Sequence, residues 1–219
     1  LGDDLAMRSH ADVPMAALWT WPRDGSPRPT LLGDMKGAAS VAHIYGQNVV
    51  AAESMTSIGA PWAHAPSDLR RIIDMEFAHG VNLPVIHTSP HQPLDDKQPG
   101  GSLAIFGQFV TRHETWADMA KPWIDYMARS SFMLQQGRNH ADMAIFVGED
   151  EPITGQHFRG VPSDLPKENA YDFISADALA KVVSVADGQI VTKGGARYGL
   201  LYLGKSSEQM TLPTLRRLA

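Results

Sequence analysis

Apolar residues in the first half of the chain form three short continuous runs separated by amphipathic stretches. The runs cover residues 11–21, 48–53 and 82–88 and have the length of β-strands. A continuous apolar run of this length is typical of a strand that is buried on both faces of a parallel sheet. The pattern therefore predicts three parallel strands.

Helical patterns fill the two intervals between these strands. In the first, residues 35–45 follow Asp34, which has the position of an N-cap, and Gly46 follows as the left-handed stop. In the second, residues 67–79 place apolar side chains on one stripe, with Ser67 as the predicted cap. Strands alternating with helices in this way predict repeated βα units.

The pattern of apolar and polar residues changes near residues 138–140. Before this point, a capping-box pattern at Thr115 predicts a helix to about residue 136, which Pro122 kinks or divides into a short and a longer helix. After it, apolar runs and caps predict strands at 141–148, 189–192 and 198–203, helices at 175–186 and 211–218, and an irregular segment at 149–169. We therefore predict two units, residues 1–138 and 139–219. The second is expected to be an open α/β unit whose last helix is cut short.

Composition excludes several classes of protein. The 219 residues include 19 basic and 24 acidic side chains without runs of like charge, which argues against a nucleic-acid footprint or a polybasic membrane patch. No apolar stretch approaches the length of a membrane span. The chain contains no cysteine, which suits a periplasmic or secreted protein and is equally permitted in the cytoplasm. We expect the periplasm or secretion, and because the chain opens at Leu1 without a leader, we expect a fragment.

The most informative candidate for chemistry is Glu53, which stands where the second apolar run breaks into small polar residues. In α/β barrels the carboxyl ends of the strands form the face where catalytic groups are assembled. Glycosidic hydrolysis requires two carboxyl groups, and Glu53 is a candidate for one of them. The weaker candidates, which lie in or beside the loops of the same face, are Asp24, Asp34, Asp95 and Asp96. The alternative is that Glu53 only ends a strand and caps a loop.

Aromatic rings and histidines near the same predicted face could bind a sugar. Trp21 and Trp62 lie in loops beside proline, where an indole can stack on the C–H side of a sugar, whereas Trp116 fits either this role or the core. His87 follows the third strand, and His91 lies four residues further on. These histidines can donate hydrogen bonds to hydroxyls or bind a metal, although the spacing also fits ordinary polar residues.

Several segments resemble the bacterial α-L-rhamnosidases of glycoside hydrolase family 106. The most specific are residues 34–46, DMKGAASVAHIYG, and residues 50–56, VAAESMT. The resemblance continues through Pro99-Gly100, Thr115-Trp116 and the segments 126–137, 141–150 and 187–198.

The resemblance implies a fold and a set of roles. It implies that residues 1–138 are the last three strands of a (β/α)8 barrel, followed by the start of a flavodoxin- or amidotransferase-like α/β domain. Glu53 would then lie on the seventh strand, with His87 and His91 at the end of the eighth. The partner carboxylate, expected from the fourth strand, would lie outside this sequence, so the isolated chain should be inactive. The family resemblance also implies calcium in the active site.

The leading hypothesis is therefore part of an inverting glycosidase that removes terminal α-L-rhamnose from oligosaccharides, polysaccharides or glycosides. Glu53 would be one of the two essential carboxylates, preferably the base that activates water. Two alternatives remain open: another barrel glycosidase of the β-galactosidase type, or a catalytically inactive carbohydrate-binding or structural segment.

Overall fold

The computed structural model describes residues 2–60 and 62–219. Its strands are β1 (Met15–Trp19), β2 (Ala51–Thr56), β3 (Leu83–Ile86), β4 (Met143–Phe146), β5 (Tyr171–Ile174), β6 (Val183–Ala186), β7 (Gln189–Thr192), β8 (Arg197–Tyr198) and β9 (Leu200–Leu203). Its helices are α1 (Asp4–Arg8), α2 (Pro29–Tyr45), α3 (Pro66–Ala78), α4 (Lys121–Leu134), α5 (Ile153–Gln156), α6 (Ala176–Lys181) and α7 (Leu212–Leu218), with 3-10 turns at Ala117–Met119 and Lys205–Ser207.

These strands form three small sheets. The first is parallel in the order β1-β2-β3, and the second is parallel in the order β5-β4-β9. The third is an antiparallel meander in the order β6-β7-β8. The first two sheets confirm the predicted parallel α/β architecture of both halves of the chain.

Helices α2 and α3 connect the strands of the first sheet and pack on it. The core includes Leu18 of β1, Ala52 of β2, and Leu69 and Ile73 of α3, all of which are buried. Each helix therefore closes a βα crossover between parallel neighbours, as the alternating sequence pattern predicts.

Helix α2 is buried on two sides because it lies between the first two sheets. Its small residues Ala38, Ala39 and Ala42 belong to the core of the first sheet. Val41 and Ile44 belong to the two apolar clusters around the second sheet. Small side chains allow the backbone of this helix to approach both sheets, and no residue from Leu31 to Tyr45 is exposed.

A buried carboxylate on β5 ties the second sheet to α2. Asp172 is fully buried, and its Oδ1 accepts a hydrogen bond from His43 Nδ1 at 2.8 Å and contacts Lys36 Nζ at 3.4 Å. Its Oδ2 accepts from the Tyr198 hydroxyl at 2.9 Å. Ser40 of α2 adds a further link by accepting a hydrogen bond from the backbone N–H of Phe173 at 2.9 Å.

These partners determine the charge of Asp172. Burial by itself would raise the pKa of this carboxyl, but the hydrogen bond and charge of His43, the charge of Lys36 and the Tyr198 hydroxyl outweigh it, so the pKa is lowered. Burial and the neighbouring Asp172 raise the pKa of Tyr198, which keeps the phenol a hydrogen-bond donor. The cluster is therefore an ionised acid held by several donors.

The predicted caps of α2 and α3 were wrong. Helix α2 begins at Pro29, well before the predicted start at residue 35, and Asp34 lies inside it. The Asp34 carboxylate accepts the backbone N–H of Ala17 at 2.9 Å instead of capping the helix. Helix α3 begins after Ala65, so Ser67 is not its cap. Each helix has a proline in its first turn, and this proline together with tertiary contacts decides where the helix starts.

The predicted capping box at Thr115 was also wrong. A 3-10 turn forms at Ala117–Met119, and α4 begins at Lys121 without a side-chain cap. Pro122 lies in the first turn of α4, where its missing N–H costs no hydrogen bond. Of the two alternatives for Pro122, the structure thus has the second, a short helical turn followed by a longer helix.

The sequence prediction for the second half was wrong in four places. Strand β5 was missed, and the helix predicted for residues 175–186 ends at Lys181 and gives way to β6. Strands β8 and β9 are separate, with Gly199 between them, and belong to different sheets. The irregular segment contains the short helix α5. Ser175 does cap α6, accepting the backbone N–H of Ala178 at 3.2 Å.

The predicted boundary near residues 138–140 falls between α4 and β4, and it stays a prediction.

Across residues 2–60 and 62–219, none of the helices combines the length and the apolar character that a membrane crossing requires.

Replacing Asp172 by Asn should destabilise the fold by about 3–5 kcal/mol, because it removes the charge from a buried and paired cluster. The folded-state pKa of Asp172 is lowered, so its contribution is present above the unfolded-state pKa and is lost as the pH falls through the folded-state value. The difference in unfolding free energy between wild type and Asp172→Asn, measured by denaturant titration, should therefore shrink in acid.

Asp142→Asn is the matched control, because the Asp142 side chain is largely exposed and pairs with the exposed His140 at 3.7 Å. An equal loss of stability in both variants would contradict the assigned role of Asp172.

Candidate functional site

Glu53 lies in the middle of the first sheet, on β2. It is opposite Ala17 of β1 and Val85 of β3 in the parallel register. Its neighbour Ser54 contacts Glu76 of α3 at 2.7 Å, so Ser54 faces the helices. Because successive side chains of a strand alternate between faces, Glu53 projects from the opposite face of the sheet.

This second face of the sheet is apolar and partly exposed. Met15 of β1 is 43% exposed, and Leu83 and Val85 of β3 are 39% and 44% exposed. Within the described ranges, the helices pack on the other face, where Ala16 and Leu18 are buried. Glu53 thus stands among exposed apolar side chains on the face that α2 and α3 leave open.

A β-bulge at the end of β2 gives Glu53 its hydrogen-bond partner. The register with β1 shifts between Leu18 and Trp19, so that Trp19 pairs with Thr56. Met55 is the extra residue, with φ of 65° and a buried side chain. The bulge turns Thr56 to the side of Glu53, and its hydroxyl donates to Glu53 Oε1 at 2.5 Å.

The long loop after β3 is attached to the end of β2. The backbone N–H of His87 donates to Ser54 O at 2.9 Å, and the His87 carbonyl accepts from Gln108 N at 2.8 Å. The Gln108 side chain, which is buried, donates to Ser57 Oγ at 2.9 Å. These bonds hold the start of the predicted loop at the carboxyl ends of β2 and β3, and the end of β2 is close to Glu53 in the chain.

The two predicted histidines differ in their surroundings. His87 is half-buried, and among the described residues its Nδ1 is buried without a hydrogen-bond partner. His91 is exposed in the loop. His87 is therefore fixed beside the end of β2, whereas the predicted role of His91 has no support from the described contacts.

The three predicted tryptophans also differ in their contacts and exposure. Trp21 packs against the core and lies under Arg71, whose guanidinium is 4.6 Å from the ring centroid. Trp116 packs against the same core and donates from Nε1 to His64 O at 3.2 Å. Trp62 is 39% exposed. Trp62 is thus the one of these three rings with a large accessible area, while both others have structural contacts.

The weaker carboxylate candidates have partners other than Glu53 or are exposed. Asp34 pairs with Arg8 and with the backbone of Ala17, and burial raises its pKa. Asp95 pairs with Arg112 at 2.6 Å, and Asp96 and Asp24 are exposed. Asp34 therefore has a structural role beside β1.

Besides Asp172, two buried acids were missed by the sequence analysis. Glu76 lies on the apolar stripe of α3, after Leu69, Ile72 and Ile73, and a glutamate at a stripe position is a signal that could have identified it. Glu114 is 6% exposed, and its Oε1 accepts the backbone N–H of Thr115 at 2.8 Å. Its position in an irregular loop gave no sequence signal.

The calcium expectation does not fit these residues alone. In the part of the chain that the structure describes, no group of three or more histidine or acidic side chains is arranged to hold a metal ion. A cavity of about 760 Å³ lies elsewhere, at the amino ends of β2 and β3 beside Val50, Val81 and Asn82, and it does not include Glu53.

A carboxylate on a parallel βα sheet, next to a long loop after the neighbouring strand, is an arrangement typical of glycoside hydrolases built on α/β scaffolds. The comparison with protein families gives the particular assignment. The chain matches the model of the glycoside hydrolase 106 family, described as α-L-rhamnosidase, over residues 1–219. The chain belongs to this family.

One relative carries the name rhamnosidase, and a second carries the name of a different glycosidase. The solved structure of a rhamnosidase from Novosphingobium sp. PP1Y is similar with 61% identity and a TM-score of 0.95, covering 100% of this chain and 21% of that protein. A protein of Formosa agariphila named "Putative beta-glucuronidase" is 35% identical over 206 residues, which are 93% of this chain and 16% of that protein. The chain thus spans about a fifth or less of the length of these relatives.

Thr56→Val should lower glycosidase turnover by about 10- to 100-fold, because a hydrogen bond to a charged group contributes about 1.5–3 kcal/mol. The measurement is kcat in the full-length protein. Thr20→Val is the control, because its hydroxyl donates to the Thr56 carbonyl, at 3.3 Å, and not to the acid. Equal effects of both changes would refute a specific contact between Thr56 and Glu53.

Proposed function

We propose that this chain is the carboxyl-terminal part of the catalytic barrel of an inverting α-L-rhamnosidase, followed by the start of an α/β domain. Its substrates would be rhamnose-containing oligosaccharides, polysaccharides or glycosides. The observation that carries the proposal is Glu53, which projects from the open face of a parallel sheet in a chain of this family.

The open face of the first sheet supports the barrel. A closed (β/α)8 barrel has helices outside and a packed interior of apolar side chains. Met15, Leu83 and Val85 project on the side away from the helices and are partly exposed, as expected of interior residues whose neighbouring strands belong to the rest of the protein. Three consecutive parallel strands in sequence order fit one arc of such a barrel.

Glu53 would act as the general base. Its Oε1 accepts a hydrogen bond from Thr56, which fixes the orientation of the carboxyl group. In the inverting reaction the ionised carboxylate takes a proton from water while the water oxygen attacks the anomeric carbon. The partner acid, whose carboxyl group lies about 6.5–9.5 Å from that of the base, protonates the leaving oxygen. That acid would come from a strand outside this chain.

A second candidate is another barrel glycosidase, which the name of the Formosa relative favours. A retaining enzyme would place the two carboxyl groups about 5–5.5 Å apart. Determining the configuration of the released sugar by NMR distinguishes the two reactions directly.

Glu53→Gln should reduce kcat of the full-length enzyme on an aryl α-L-rhamnoside by at least about 10²-fold, because general-base catalysis typically contributes 10²–10⁴-fold. The fold should remain, since Gln is isosteric and Glu53 is half-buried. Asp95→Asn, a change in an exposed loop carboxylate, is the control. Near-normal turnover of Glu53→Gln would remove the basis of the proposal.

Trp62→Ala should raise KM by about 3- to 10-fold with a smaller change in kcat, because aromatic stacking contributes about 0.5–1.5 kcal/mol. Initial rates over a range of substrate concentrations measure this. Phe158→Ala removes an exposed ring beside α5 (78% exposed) and should leave KM unchanged. An unchanged KM in Trp62→Ala would exclude Trp62 from sugar binding.

A further inference from the structure

A buried acid lies directly behind the strand that carries Glu53. Glu76 of α3 has no exposed surface, and its Oε2 is 2.7 Å from Ser54 Oγ. Ser54 is adjacent to Glu53 in β2 and faces the helices. The proposed mechanism does not use Glu76, and a buried acid in this position requires an explanation.

Counting protons on Ser54 assigns the protonation state of Glu76. Ser54 Oγ lies 2.9 Å from Ala52 O and 2.7 Å from Glu76 Oε2. The hydroxyl has one proton, and a carbonyl oxygen only accepts. Both contacts are hydrogen bonds when Ser54 donates to Ala52 O and Glu76 donates to Ser54 Oγ. This arrangement requires an un-ionised carboxyl on Glu76.

The surroundings of Glu76 agree with this assignment. Its Oε1 is buried and has no hydrogen-bond partner among the described residues, and leaving an ionised carboxylate in that state would be costly. Burial raises the pKa of Glu76 to about 8. At neutral pH the carboxyl therefore retains its proton.

Ser54 connects this acid to two predicted site residues. It precedes the bulge at Met55 and follows Glu53, and its carbonyl accepts the N–H of His87 at 2.9 Å. We propose that Glu76, donating a hydrogen bond to Ser54, is a positioning residue that fixes the end of β2 and thereby orients Glu53 and His87. The proposal rests on the proposed function of Glu53.

The test compares three variants in the full-length enzyme with an aryl α-L-rhamnoside. Glu76→Met fills a similar volume without a donor and should lower kcat by about 10- to 100-fold with little change in KM, because small displacements of a catalytic group can cost about 10²-fold. Glu76→Gln retains an N–H donor for Ser54 and should restore most of kcat. Ile73→Met, at a fully buried apolar position on the same stripe, controls for repacking.

Thermal unfolding distinguishes a variant that does not fold from a folded variant in which Glu53 is displaced. If Glu76→Met does not fold, Ser54→Ala, which removes the acceptor with little change in volume, should show the same loss of kcat. Wild-type kcat in a folded Glu76→Met or Ser54→Ala variant would overturn the proposal, as would an equal loss in Glu76→Gln. If these variants retain kcat while Glu53→Gln loses it, the positioning role fails and the proposed function stands. If Glu53→Gln is active, the function itself fails.

Infrared spectroscopy gives a readout independent of turnover. The difference spectrum of wild type minus Glu76→Gln at neutral pH should contain the carbonyl stretch of an un-ionised carboxylic acid. A difference spectrum with carboxylate bands instead would show an ionised Glu76 and would overturn the assigned hydrogen-bond direction.

Discussion

The contact between Asp172 and α2 is the interaction on which the arrangement of this chain depends. It joins a strand of the second sheet to a helix that also packs on the first, through His43, Lys36 and the neighbouring Tyr198 hydroxyl. A buried carboxylate is tolerated only when its oxygens are satisfied, so the donors must be in place for the two sheets to share the helix.

This shared helix has consequences for the site. Because α2 and α3 cover one face of the first sheet, the other face is left to Glu53 and the exposed residues Met15 and Val85. The bulge at Met55 then turns Thr56 toward Glu53. The acid is therefore oriented by backbone geometry on its own strand and by packing behind it, while its own face of the sheet is open.

Polar groups on both faces of β2 follow from the same alternation. Glu53 on the open face bonds to Thr56, whereas Ser54 on the helix face bonds to Glu76. The apolar stripe of α3 predicts an apolar side chain at position 76, but the residue there is a buried glutamate. Such a conflict between local pattern and residue type is often found at functional sites, and here the glutamate is bonded to Ser54, the residue next to the proposed base.

The sequence by itself determined the parallel α/β units, the approximate strands and the choice of Glu53 as the leading candidate, because apolar periodicity and strand ends are local properties. It did not determine the start of α2, the strand β5 or the burial of Glu76 and Asp172, because these depend on residues distant in the chain. Asp34 looked like a cap and instead bonds to Ala17 of β1. Only the tertiary structure decided which polar residues were buried, since burial is set by the neighbours that folding brings together.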